Sequence, residues 1–146
     1  MADAGEGLAH PGPEVLDAVV RHLESAWPLE GCGVVLRQGA RGPWRCRPLR
    51  NARAARDAYA FDPTEWLGVL LEADARGEHL MWVFHSHVVG DGDAGFSRED
   101  RRQAAPGGEP LLPGVSYLVV ALRHGRVTAR RLFRWEGTDF QPVEIP

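Results

Sequence analysis

The chain has 146 residues, and 17 Lys and Arg against 20 Asp and Glu give a net charge of −3. That length suits one domain with its own core, needing no disulfide or metal staple. The charge balance leaves no electrostatic footprint for nucleic acid, and no stretch approaches the ~20 apolar residues of a membrane span.

Residues 1–12 are rich in Gly and Ala and are expected to be flexible, leaving 13–146 as the domain. Pro13 to Trp27 reads as a helix, with Val15, Leu16, Val19, Val20 and Leu23 at helical spacing and Pro13 in its first turn. Gly33 to Arg37 and Pro43 to Leu49 read as strands of a hairpin. Asn51 to Phe61 gives no clear pattern. Asp62-Pro63-Thr64-Glu65 opens a second helix as cap, first helical residue and capping box. Trp66, Leu67, Leu70 and Leu71 are its expected apolar face, and Gly77 stops it. Leu80 to Phe84 reads as a buried strand ending at His85. A Gly/Asp loop, Gly90 to Gly95, follows. Ser97 caps a short helix through Ala105, and Pro106 to Pro113 is loop. Ser116 to Leu122 and Arg126 to Trp135 read as strands turned by His124-Gly125, with a last short strand near Phe140 to Ile145. The order predicts an α/β (α+β) layer arrangement in one domain.

His85-Ser86-His87 is the most informative segment. Residues i and i+2 of a strand share a face, so the two imidazoles converge and Ser86 faces away. Two histidines, a carboxylate and an open fourth position make a catalytic zinc ligand set. Asp100, in the first turn of the short helix, is the carboxylate candidate, with Ser97 beside it. Ser97 and Asp100 also have a plain reading as a helix cap. Glu30 lies just before a strand in an apolar setting, where desolvation would lift its pKa toward that of a general base. An isolated loop acid is more often simply at the surface.

Taken together, Pro28-Leu29-Glu30-Gly31-Cys32-Gly33, His85-Ser86-His87 and Ser97-Arg98-Glu99-Asp100 resemble the motifs of the JAMM metalloproteases, the catalytic MPN domains. Phe61-Asp62-Pro63, Arg76-Gly77 and Tyr117-Leu118-Val119-Val120 match as well, so the resemblance spans residues 13 to 135. It implies a mixed sheet flanked by helices, in a cytidine-deaminase-like layering. It implies one zinc ion on His85, His87 and Asp100, with Glu30 as general base and Ser97 stabilising the oxyanion. It also implies a substrate: the C-terminal tail of a ubiquitin-like or sulfur-carrier protein, cut at a peptide or isopeptide bond. The alternative is a catalytically silent MPN scaffold, which in this family usually lacks the histidines or the aspartate.

The chain departs from the family in one loop. Nine residues separate His87 from Ser97 where seven are usual, and Val88 and Phe96 replace common prolines. The intact Ser-x-x-Asp implies a two-residue insertion, which costs little when its ends stay anchored. Asp91 and Asp93 in that loop are rival ligands. Asp100 is preferred because it alone has the serine and a helix to position it. Cys32 is read as a packing residue and a Cys32–Cys46 disulfide is not expected. The absence of a signal segment suggests the cytoplasm. The other histidines (His10, His22, His79, His124) are read as partnerless fillers in helix or turn contexts, and the five tryptophans as core. A substrate tail is expected to add to a strand edge beside the metal. Oligomeric state is not readable.

Overall fold

The computed structural model describes residues 10–88 and 93–145. Most of the expected flexible N-terminus, residues 1–9, and the rival ligand Asp91 lie outside the described residues.

Helix α1 (Pro13–Ala26) starts with its proline in the first turn and buries Val15, Val19 and Leu23. Burial of each such side chain is worth about 2 kcal/mol, and Leu23→Ala would cost about 2–5 kcal/mol once its cavity is counted. The chain then passes close under this helix. A Cβ on Gly31 would sit 2.8 Å from Leu23 Cδ2 and 3.0 Å from Ala26 Cβ, so a larger residue there would have to push the helix side chains aside.

Strands β1 (Cys32–Gln38) and β2 (Trp44–Leu49) form the expected hairpin. Helix α2 (Pro63–Arg76) begins as its sequence predicts, with Asp62 accepting a bond from the Glu65 amide at 2.9 Å, and ends at Gly77 in the left-handed region. Two expectations about it fail. Glu65 does not close a capping box; its carboxylate accepts from the Arg50 amide instead, at 2.9 Å. The buried face is Val69 and Ala73, with Trp66 packed against the core, whereas Leu67, Leu70 and Leu71 are exposed. Residues 66, 69 and 73 fall on one helical stripe, and the small side chains at 69 and 73 let the helix lie close to the sheet. The leucines lie on the other side of that stripe.

Strand β3 (Glu78–His87) follows, then α3 (Arg98–Ala104), β4 (Ser116–Arg123), β5 (Arg126–Trp135) and β6 (Phe140–Val143). His124 and Gly125 both take positive φ between β4 and β5, as a two-residue hairpin turn requires. The six strands form one sheet in the order β2-β1-β3-β4-β5-β6, in which β3 and β4 are parallel and the other neighbours antiparallel. Alternate strand residues fill two cores. Val35, Trp82, Phe84, Leu118, Val120 and Leu132 pack under α1. Val34, Val83, Tyr117, Val119 and Phe133 face α2 and α3. This is the expected mixed α/β arrangement of a mixed sheet flanked by helices.

The sheet order narrows one expectation, that of a substrate tail adding to a strand edge beside the metal. β3 is central: His85 is paired with Cys32 on one side and with Val119 on the other. No free edge exists on β3 at that histidine for a tail to extend. The tryptophan reading also needs amendment, since Trp82 is buried but Trp27 is 41% exposed. Of the remaining histidines, His79 lies within β3, and His22 has a partner, its Nε2 standing 3.0 Å from the Cys32 carbonyl oxygen. Both cysteines are free, and burial pushes the Cys32 thiol up to about 12, in keeping with a packing role. Among the described residues, no helix is long and apolar enough to cross a membrane.

Candidate functional site

The C-terminal end of β3 carries the histidines, on the face that looks toward α3. His85 follows Val83 by two residues and points the same way, fully buried, with its ring stacked on Tyr59 at 4.5 Å between centroids. His87 projects beside it. Their Nε2 atoms are 3.1 Å apart. Ser86 points to the opposite side, as the alternation requires.

Asp100 reaches the same point from the first turn of α3. Its Oδ1 is 3.0 Å from His85 Nε2 and its Oδ2 is 3.1 Å from His87 Nε2. The start of α3 is fixed by a reciprocal capping box. Ser97 Oγ accepts from the Asp100 amide at 3.0 Å, and Asp100 Oδ2 accepts from the Ser97 amide at 2.9 Å. The plain reading of Ser97 and Asp100 as a cap and the reading that brings them to the histidines are therefore both true. The longer loop after His87 does not prevent the convergence. Asp93, the described rival, turns its carboxylate to the Gly95 amide at 3.0 Å and offers its carbonyl oxygen to His87 Nδ1 at 3.2 Å.

That last bond bears on metal binding. With Nδ1–H committed to Asp93, a neutral His87 presents a bare Nε2 to a carboxylate oxygen and to a second imidazole. Such a contact is repulsive unless a cation or an extra proton lies within it. Donor atoms at zinc-ligand distance in a tetrahedron lie about 3.3 Å apart, close to the separations seen here. His85, His87 and Asp100 form a group able to hold a metal ion. Without an ion, the protonation tendencies favour a proton on His87 at that point. Burial drives His85 down, away from the charged form. Burial also pulls on His87, but bonding to Asp100 and the charges of Asp100 and Glu30 outweigh it and raise its pKa. For Asp100, burial is outweighed by bonds from both histidines, and its carboxyl is held well below the usual range.

Glu30 faces this group across a cavity of about 310 Å³ whose walls include Ser97, Asp57 and Tyr59. It is 5% exposed, and burial raises its pKa from 4.5 to about 8, opposed by His87 and reinforced by Asp100 and Asp57. A carboxyl poised near neutrality is what a general base needs. Its backbone is fixed from three directions. The Glu30 amide donates to the Ala55 carbonyl at 2.9 Å, and Asn51 Nδ2 donates to the Glu30 carbonyl at 3.0 Å. The next residue, Gly31, donates to Ser86 Oγ at 2.8 Å and accepts from the Ser86 amide at 3.0 Å. The serine between the histidines thus ties the acid's segment to theirs.

A family model described as prokaryotic homologs of the JAB domain matches residues 12–136. The chain belongs to the prokaryotic JAB family. Among curated proteins, this JAB domain is 31% identical over 120 residues to the desampylase of Haloferax volcanii, covering 81% of the chain and 78% of that protein. Its fold is shared with a protein from Desulfitobacterium hafniense solved in solution, with a TM-score of 0.72 at 24% identity over 94% of the chain and 90% of that structure. A Salinibacter ruber protein, also solved in solution, gives a TM-score of 0.66 at 24% identity, covering 93% and 89%.

Sequence reasoning missed several residues around this JAB domain's cluster. Asn51 uses its whole amide: besides Glu30 it donates to the Ala58 carbonyl at 2.9 Å, and its Oδ1 accepts from the Arg53 and Ala60 amides. It thereby shapes the segment that brings Tyr59 onto His85. Gln103 Nε2 donates to the Tyr59 carbonyl at 2.9 Å and locks that segment to α3. The one available signal was an asparagine placed just after a strand, where its side chain can substitute for backbone partners.

Proposed function

We propose that the protein is a zinc-dependent peptidase or isopeptidase that hydrolyses the bond at the C-terminal tail of a ubiquitin-like or sulfur-carrier protein. The observation that carries this reading is the meeting of His85, His87 and Asp100 across one cavity from a buried Glu30. The desampylase relative supports the choice of a ubiquitin-like substrate. An intact set of this kind counts against a silent scaffold.

His85, His87 and Asp100 would hold the ion, which when bound supplies Lewis acidity, acidifying water and polarising the scissile carbonyl. Glu30 takes the proton from the attacking water and returns it to the leaving amine. Ser97 Oγ already accepts from the Asp100 amide, so its own proton is free to point at the oxygen that gains charge. Asp93, through its carbonyl, keeps His87 in the tautomer that ligation needs. Asn51 and Ser86 hold Glu30 at its distance from the cluster. The two free thiols suit a reducing compartment, and we assign the enzyme to the cytoplasm.

The test uses a ubiquitin-like domain joined through its tail to a lysine peptide, with cleavage followed by mass spectrometry. Cleavage should need added zinc, stop with chelator, and be lost in Glu30→Gln protein that still binds zinc. Cleavage persisting in that variant would remove Glu30 as the base.

A further inference from the structure

Beside the cluster lies a second cavity, of about 550 Å³ and mainly apolar. Its floor is Val83 on β3 and Tyr117 on β4, which are register partners. Phe61 and Trp66 wall it on the α2 side, and Leu111 and Leu112 on the other. Tyr59 and Gln103 line both this cavity and the one that holds Glu30, so the two adjoin at that hydrogen-bonded pair. Leu111 is 63% exposed although it borders this apolar hollow. An exposed leucine is ordinary by itself, but here it extends apolar surface that is open to solvent.

The spacing sets what the hollow can receive. Val83 precedes His85 by two residues on the same face, so the floor of the hollow is about 7 Å along β3 from the cluster. An extended peptide advances at the same pitch. With its scissile carbonyl at the cluster, a chain running along β3 places the side chain two or three residues away over Val83. The inference rests on the proposed hydrolysis of a tail. In an isopeptide the leaving side is a lysine side chain, which presents no residue two positions on. For an isopeptide, only the acyl side, the tail itself, can therefore fill the hollow.

The geometry points to a specificity site: the cavity between Trp66 and Leu111 binds an aliphatic or aromatic side chain at the third or fourth residue from the end of the tail being cut. Nothing charged lines it, so an acidic or basic side chain there would lose its solvation without a partner.

The experiment uses short fluorogenic acyl peptides joined through their terminal carboxyl to a lysine ε-amine, with leucine, alanine or aspartate at the third or fourth residue from the junction. Zinc-loaded wild type should cleave a leucine peptide with a kcat/KM at least about tenfold above its alanine counterpart, and the ratio should collapse in Leu111→Asp. Leu111 is exposed, so that change leaves the fold in place. A leucine-to-alanine ratio near one in wild type, or a preference kept in Leu111→Asp, would overturn the site. Binding is read separately on zinc-loaded Glu30→Gln protein by NMR. The leucine peptide should shift the Leu111 and Leu112 methyl and Trp66 indole signals, and the alanine peptide should not. Shifts without cleavage by wild type would leave the site standing and sink the proposed hydrolysis; absence of shifts would sink the site whatever the activity.

Discussion

The buried carboxyl of Glu30 makes the protein less stable as it ionises, and this can be measured without a substrate. In metal-free protein its pKa is about 8 against 4.5 for the free side chain, the main cause being burial. Between those values the unfolded chain releases the proton and the folded chain keeps it. The unfolded state then binds fewer protons, so stability falls as pH rises from about 4.5 to 8. A shift of that size corresponds to roughly 5 kcal/mol at full development, of which about 4 kcal/mol falls above pH 5. Water entering through the cavity mouth would lessen this, so about 2–4 kcal/mol is expected. Glu30→Gln keeps the shape and removes the titration. Urea unfolding of chelator-treated protein at pH 5 and pH 9 should show the wild type losing about 2–4 kcal/mol more than the variant. Parallel pH profiles for the two proteins would refute the claim that Glu30 is desolvated.

Three further substitutions probe the frame. Ser86→Ala leaves the buried Gly31 amide without its side-chain acceptor and should cost about 1–3 kcal/mol in urea unfolding, with zinc content unchanged. Asn51→Ala removes four bonds around Glu30 and Tyr59; it should cost about 2–4 kcal/mol and lower kcat more than it raises KM. An unaltered kcat would mean that this asparagine does not set the position of the acid. Ser97→Ala should cost about 1 kcal/mol as a lost cap, yet reduce kcat about 10²–10³-fold. A loss of stability alone would leave Ser97 as a cap and nothing more.

Much of this architecture follows from local spacing. The two-residue period of β3 sets His85 and His87 on one face, and Ser97 to Asp100 spans one turn; that these two elements meet is an expectation carried by the family resemblance and not by spacing. The buried state of Glu30 was legible only through its apolar neighbours. Features that depend on packing were not legible. The leucines of α2 look like a core face by size, but the sheet takes the smaller Val69 and Ala73. That β3 is interior depends on where β1 and β4 dock. Residues 51–61 are ordered chiefly by the side chain of Asn51, which leaves no periodic trace. The longer loop after His87 raised the sharpest question; Asp100 reaches both histidines beyond it, and the capping box fixes where α3 begins in the chain.

Metal content tests the central claim most directly. Purified protein loaded with zinc and freed of excess should carry one ion per chain. His87→Ala and Asp100→Ala should each lose it, while Asp93→Ala keeps it. The histidines titrate against the metal, so acid should release the ion as His87 is protonated. Zinc retained in Asp100→Ala, or lost in Asp93→Ala by removal of its carboxylate, would contradict the ligand set on which the proposed function stands.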